Sequence, residues 1–333
     1  MSAATTVIIS PRDRYSGLAG CIERLFACTP EKFELWVLDL GYPQDDMVAA
    51  RALIEGKPNC RVIDLGLVTP MDALRSVRAD VATPTVVLLD NDSRVTPGWL
   101  APLLGAVDAG ASVVSPLILE REGLDEGGEL RNHLYTGELR VVDVDGTPYL
   151  IEQKHFRRAD VDAIPREQAP TRTFELHCVM FRTSTFLAIE LPSMVVREHL
   201  DIALQVLARK EKLVVEPASV VTFDNLATPM RLADMRFFFY RWSNRLIDLS
   251  AHLFEARWGY RFYSELAMRN WAFRRKVFLL SRWIGMPIGW ANTATSAAKR
   301  LFCKDWDPLP DAEGASRSFG AEPPAVQLSH RVQ

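Results

Sequence analysis

Residues 85–100 read Thr-Val-Val-Leu-Leu-Asp-Asn-Asp-Ser-Arg-Val-Thr-Pro-Gly-Trp-Leu, so a run of five apolar or β-branched residues leads straight into Asp90-Asn91-Asp92. A buried strand of this kind delivers its last residues to the carboxyl edge of a sheet, where open α/β folds bind ligands. Two carboxylates on the same side of that edge offer paired oxygens to a hard cation and a diphosphate. The chain holds three other Asp-x-Asp triplets, at Asp143/Asp145, Asp160/Asp162 and Asp305/Asp307, all in polar, Pro- or Gly-flanked sequence. Context therefore singles out residues 90–92.

On either side of this stretch short apolar runs alternate with helical patterns. Strands are expected at Thr6–Ser10, Leu35–Leu38, Arg61–Asp64, Val86–Leu89 and Ser112–Val114, with helices at Leu18–Phe26, Met47–Ile54, Met71–Val81 and Trp99–Val107 between them. Strand and helix alternating at this spacing predict βαβ units and a parallel sheet. The first 115 residues thus read as a nucleotide-binding half-domain. Residues 120–172 break the rhythm: they are charged, contain Gly127-Gly128, and around Asp145-Gly146 show the turn chemistry of a hairpin joining Leu139–Val144 to Tyr149–Glu152. Such an insertion beside a ligand site reads either as a binding loop or as a solvated excursion. Regular structure resumes at Cys178–Phe181, a helix over Glu198–Ala208 and a strand at Lys212–Val215.

The bulk numbers narrow the class. With 333 residues, 48% hydrophobic and 24% charged, the chain is long enough for one large domain with an appended element or for two modest ones. A net charge of −3 and a pI near 6.1 give no electrostatic reason to expect nucleic acid as partner. The five cysteines are odd in number and lack metal-ligand spacing, as reduced thiols would. No signal peptide and no apolar run of membrane-spanning length is apparent, so a cytoplasmic protein is expected.

Separated signals, in order, resemble the family 2 glycosyltransferases, over roughly residues 5–225. They are the opening strand followed by Ser10-Pro11-Arg12-Asp13-Arg14; a second strand ending in Asp39; Arg75 ahead of the motif strand; and Asp90-Asn91-Asp92 itself, with Arg197-Glu198-His199-Leu200-Asp201 and Val215-Glu216-Pro217-Ala218-Ser219-Val220-Val221 closing the pattern. The resemblance implies the GT-A fold, a Rossmann-like α/β domain with a mostly parallel central sheet and flanking helices over 1–225. A C-terminal helical extension would follow over 226–304, and a disordered tail over 305–333.

It also implies a function: metal-dependent, inverting transfer of a sugar from a nucleotide-diphosphate sugar to a glycan, lipid-linked or small-molecule acceptor hydroxyl, in glycan or polysaccharide biosynthesis. Pro11, Arg12, Asp13, Asp39, Arg75, Asp90, Asn91 and Asp92 would form the donor site. Asp92 would hold Mn²⁺ or Mg²⁺, Asp90 would bind the ribose or the metal, and His177 would either lie on the acceptor side or be an ordinary edge histidine. The catalytic base would be Asp201 or Glu198, with His199 third, since His199 stands where the family often has Asp. The family's late metal-binding His is absent or replaced by Asp224, because this chain reads Thr222-Phe223-Asp224.

Competing readings are a helix N-terminus at 198–201 whose acids only complement the dipole, and a nucleotide- or sugar-binding module without turnover. An aspartyl phosphatase is disfavoured by Arg94 and by the motif falling on about the fourth strand. The aromatic and Arg-rich region 230–302 is read as packing onto the catalytic domain, with peripheral contact to the inner face of the membrane as the alternative.

Overall fold

The computed structural model describes residues 3–122, 129–144, 146–224 and 231–262, together with 284–287, 290 and 293. The 305–333 tail, Gly127-Gly128, Asp145, Arg274-Arg275-Lys276, Trp283 and the side chain of Asp224 lie outside the described residues.

β1 (Thr5–Ser10) and β4 (Thr85–Asp90) are buried at every position. Strands that are apolar on both faces, rather than alternating, belong in the middle of a covered parallel sheet. There they pair in parallel with each other, Ser10 opposite Asp90. β2 (Phe33–Asp39) adds to the other side of β1, and β3 (Cys60–Asp64) to β2, both parallel. The crossovers are α1 (Leu18–Cys28), α2 (Gln44–Ile54) and α3 (Pro70–Val77). Thr69 caps α3, its hydroxyl accepting from Asp72 N at 3.2 Å, and Pro70 occupies the first turn where no N–H is needed.

After β4 a turn at Asn91-Asp92 leads into β5 (Ser93–Val95) and then α4 (Leu100–Asp108). β6 (Val113–Glu122) runs well beyond the Ser112–Val114 stretch that announced it. Beyond it come β7 (Glu129–Leu134), β8 (Gly137–Val144), β9 (Thr147–Lys154) and β10 (Ala169–Pro170). β8 and β9 form the antiparallel hairpin expected around Gly146, whose φ of +79° suits glycine in that turn. β11 (Cys178–Arg182), α5 (Thr183–Ala188), α6 (Glu198–Ala208) and β12 (Leu213–Asp224) complete the sheet region. The order across the main sheet is β10-β12-β6-β11-β4-β1-β2-β3, with β11 antiparallel between β4 and β6. β5 and β7 pair off this path with β12 and β6.

Two further helices, α7 (Asp234–Arg241) and α8 (Asn244–Trp258), pack onto this body. Phe238, Trp242, Phe254 and Trp258 are buried with Leu139 and Leu150 of the hairpin and Leu200 and Leu204 of α6. Phe237 joins the main core instead. Each such side chain contributes about 1.5–3 kcal/mol by leaving water, so packing, not a lipid-facing stripe, accounts for the aromatics described here. Phe239 and Trp290 are the exceptions, at 39% and 73% exposure. No helix among the described residues is long and apolar enough to cross a membrane.

Candidate active site

The topology brings the carboxyl ends of β1, β2 and β4 to one edge, and with them Ser10, Asp39 and Asp90. Asp90 ends β4, and Asn91 holds the turn in place. Its Oδ1 accepts from Arg12 N at 3.2 Å and its Nδ2 donates to Arg14 O at 2.7 Å. Asn91 is wholly buried and ties the β4 turn to the loop after β1. Gly17 presses against this turn: a Cβ there would lie 2.5 Å from Asn91 O and 2.9 Å from Asp92 Cα.

Asp90 and Asp92 are 5% and 3% exposed. The Arg12 Nε lies 3.5 Å from Asp90 Oδ2, and the Arg14 Nε 3.8 Å from Asp92 Oδ2. Burial pushes the Asp90 carboxyl up to about 7 against the pull of Arg12. It pushes Asp92 up to about 6, with Arg14 opposing and Asp90 adding to the rise. Asp90 Oδ2 and Asp92 Oδ1 are buried without any hydrogen-bond partner. Buried carboxylate oxygens without hydrogen bonds are costly, and a cation is the partner that would satisfy both.

His177, expected on the acceptor side, sits against this pair. Its Nδ1 is 3.0 Å from Asp90 Oδ2, yet their geometry makes no hydrogen bond. The ring stacks on Phe223 at 3.8 Å with a 10° interplanar angle. Burial, reinforced by Arg12, holds the imidazole down at about 3 and therefore neutral.

Arg12 spans from Asp90 to Glu198, its Nη1 3.1 Å from Glu198 Oε1. Glu198 opens α6 directly after Arg197, which adopts the left-handed conformation with φ +60° at a cost of about 1–3 kcal/mol. The same Glu198 oxygen lies 3.6 Å from Arg241 Nη2, while Oε2 is buried without a hydrogen bond. Glu198 and Asp90 line one small cavity with Ser10, Arg12, Leu74 and Leu176.

Asp201, expected to share a face with Glu198, faces elsewhere. It is 1% exposed, and Oδ1 accepts from Gln205 Nε2 and Arg257 Nη1, both at 2.7 Å, while Oδ2 accepts from Trp258 Nε1 at 2.9 Å. Three residues turn a helix through about 300°, and here that rotation carries Asp201 off the β1 loop and onto α8. A carboxylate with both oxygens committed in the interior is poorly placed to take a proton from a substrate. His199 is also buried, with Nε2 3.6 Å from Glu152 Oε1, on the hairpin side.

The remaining expected residues divide. Asp13 accepts hydrogen bonds from Arg241 Nη1 and, at 2.8 Å, Trp242 Nε1, so it anchors α7. Asp39 Oδ1 accepts from Gly41 N at 3.0 Å and Tyr42 N at 2.9 Å, ordering the loop after β2 at the sheet edge. Pro11 is buried between β1 and Arg12. Arg75 donates to Leu191 O at 2.6 Å, Ser193 Oγ at 2.9 Å and Asp72 Oδ1 at 2.8 Å. It clamps the loop ahead of α6 and is not directed at the carboxylate pair.

Several polar residues went unread in the sequence. Glu175 is 5% exposed and is held by Lys154 of β9 and by His133 of β7, whose Nε2 lies 3.4 Å away. Glu152 accepts from Arg197 Nη1 at 2.6 Å and Thr173 Oγ1 at 2.7 Å. A buried polar band therefore runs from Asp92 through His177 and Glu175 to Glu152 and His199. The Glu-Leu-His alternation immediately before β11 is the signal that could have placed Glu175 and His177 on one face.

These features define an open α/β domain with a buried acidic pair at the carboxyl edge of its sheet. Residues 6–164 match the family model described as Glycosyl transferase family 2. That match spans just under half of the chain, and the fold of the chain is GT-A.

Among solved structures, GalNAc-T7 with UDP, GalNAc and Mn²⁺ is similar at 12% identity and a TM-score of 0.52, covering 82% of this chain and 54% of that one. The chain thus spans about half the length of that structure. TarS 1–349 of S. aureus with UDP-GlcNAc gives 11% identity and 0.47, covering 91% and 76%. The mannosyltransferase PcManGT from Pyrobaculum calidifontis with GDP-Man and Mn²⁺ gives 14% and 0.46, covering 96% and 79%. The fold comparison rests on the first of these. No curated protein sequence matches the chain.

Proposed function

We propose that this chain transfers a sugar from a nucleotide-diphosphate sugar to an acceptor hydroxyl, with inversion, using a divalent cation held by Asp90 and Asp92. The single observation that carries the reading is the pair of buried carboxylate oxygens without hydrogen bonds at the carboxyl end of β4, on the edge where this fold takes its ligands. The bound UDP and Mn²⁺ of GalNAc-T7 support it.

When bound, the cation neutralises charge on the departing diphosphate. Arg12 supplies a fixed positive charge beside it, oriented by Asp90 and Glu198. Asp39 meets the nucleobase through Oδ2, since Oδ1 is committed to the loop.

Glu198 acts as base. It takes the acceptor hydroxyl proton as that oxygen bonds to the anomeric carbon, while the bond from this carbon to the diphosphate oxygen breaks and its electron pair leaves with the nucleoside diphosphate. Asp13, Asn91, Arg75 and Asp201 hold the surrounding loops and helices rather than touching the donor.

The test is calorimetric binding of UDP, GDP, dTDP and CDP, with and without Mn²⁺ or Mg²⁺, to the intact chain and to Asp92→Ala. Metal-dependent binding of a nucleotide, lost in the variant, is expected. Absence of nucleotide binding under every condition overturns the reading, and binding without sugar transfer or donor hydrolysis points to a binding module.

A further inference from the structure

We infer that His177 is the third protein ligand of the cation held by Asp90 and Asp92, and that the site therefore favours Mn²⁺ and other nitrogen-accepting transition ions over Mg²⁺. This rests on the transferase reading above.

One ligand atom from each of Asp90, Asp92 and His177 lies within 4.8 Å of the other two. All three residues are more than nine-tenths buried, and Asp90 Oδ2, Asp92 Oδ1 and His177 Nδ1 each lack a hydrogen bond. The separation between Asp90 Oδ2 and His177 Nδ1 is 3.0 Å, without the alignment a hydrogen bond requires. Two ligand atoms about 2.1 Å from a shared ion and at right angles to each other stand roughly 3 Å apart, so the spacing suits neighbours on one ion.

The imidazole is also held as ligands are held. Phe223 stacks on one face of the ring, and the edge of His133 approaches at 5.7 Å. The His177 carbonyl accepts from Asp90 N at 3.1 Å and from Ser93 Oγ at 2.9 Å, so its backbone is pinned at both ends of the Asp90-Asn91-Asp92 turn. Ring and carboxylates therefore share one rigid frame, as metal ligands require. A nitrogen donor in an otherwise carboxylate set shifts preference away from Mg²⁺, which takes oxygen ligands, toward transition ions.

The experiment uses the full chain, free of any His tag, with Mn²⁺ alone and with Mn²⁺ plus UDP. Electron spin-echo modulation reads ¹⁴N coupling to the bound Mn²⁺, and calorimetry gives Mn²⁺ and Mg²⁺ affinities for wild type, His177→Ala and Asp92→Ala. Nitrogen modulation is expected in wild type and absent in His177→Ala. With that loss, Mn²⁺ affinity falls about tenfold or more, and the preference for Mn²⁺ over Mg²⁺ narrows.

The wild-type spectrum needs no variant, so a poorly folded His177→Ala leaves the test standing. Mn²⁺ that binds, depends on Asp92 and shows no nitrogen coupling overturns the inference while leaving the transferase reading intact. Coupling that survives in a folded His177→Ala also overturns it. No Mn²⁺ binding to wild type, with or without UDP, overturns both.

Discussion

Replacing Asp201 by Ala and, separately, Glu198 by Gln distinguishes a structural carboxylate from a chemical one on the same helix. Asp201 is an interior anchor for α8. Its removal takes from the Arg257 guanidinium its buried partner at 2.7 Å, and breaking a buried charge pair from one side costs about 3–5 kcal/mol. Glu190, 52% exposed and 3.0 Å from Arg257, offers partial compensation and moves the cost to the lower end. The Trp258 indole loses its acceptor as well, which adds about 1–3 kcal/mol. A total of about 4 kcal/mol corresponds to a fall in Tm on the order of 10 °C.

Glu198→Gln should behave in the opposite way. Arg12 keeps Asp90 and Arg241 keeps Asp13, so no arginine is left unpaired and Tm should move by a few degrees at most. Turnover should fall about 10²–10⁴-fold, the contribution of a positioned base. Scanning calorimetry and urea titration measure the first effect; release of nucleoside diphosphate from the sugar nucleotide that binds measures the second. An Asp201→Ala variant that melts like wild type yet is inactive, or a Glu198→Gln variant with full turnover, would refute the assignment.

Two further predictions concern the motif turn. Gly17→Ala should push the Asn91-Asp92 backbone outward, costing about 1–3 kcal/mol by overpacking and weakening Mn²⁺-dependent nucleotide binding; a melt and a binding isotherm check both. In the metal-free protein, Asp90 and Asp92 are raised to about 7 and 6, so the folded state holds protons that the unfolded state has released. Their contribution to stability is present below pH 4 and is lost as pH rises through 6 and 7. Urea titrations in EDTA from pH 5 to 8 should show that decline, flattened in Asp90→Asn; an equal decline in the variant would count against it.

The strands that carry the site were legible because β1, β2 and β4 are uninterrupted apolar runs ending in Ser10, Asp39 and Asp90. β5 and β10 were not, being three and two residues long. β7 was missed because Arg131, Asn132 and His133 are polar, and only the fold shows that Asn132 is buried by donating to the carbonyls of His155 and Phe156 just after β9. The acidic pair could be read from the chain because strand and turn are contiguous. The assignment of Asp201 could not, since its partners lie on α8, far along the sequence, and the helical pattern alone makes it equivalent to Glu198. His177 was expected on the acceptor side, and its place beside Asp90 and Phe223 was not legible, because only the sheet order creates those contacts.

The ties between the first loop and α7 bear on how this protein can be divided. Asp234 accepts from Tyr15 N and Ser16 N, Arg241 and Trp242 hold Asp13, and Arg241 reaches Glu198. Residues 11–16, 198–201 and 234–258 thus behave as one inseparable piece, although the family match ends at 164 and the last sheet strand at 224. A fragment trimmed at either boundary would lose the clasp that sets the loop after β1. A hybrid exchanging N-terminal halves between relatives would have to transplant α7 and α8 along with the half they fasten.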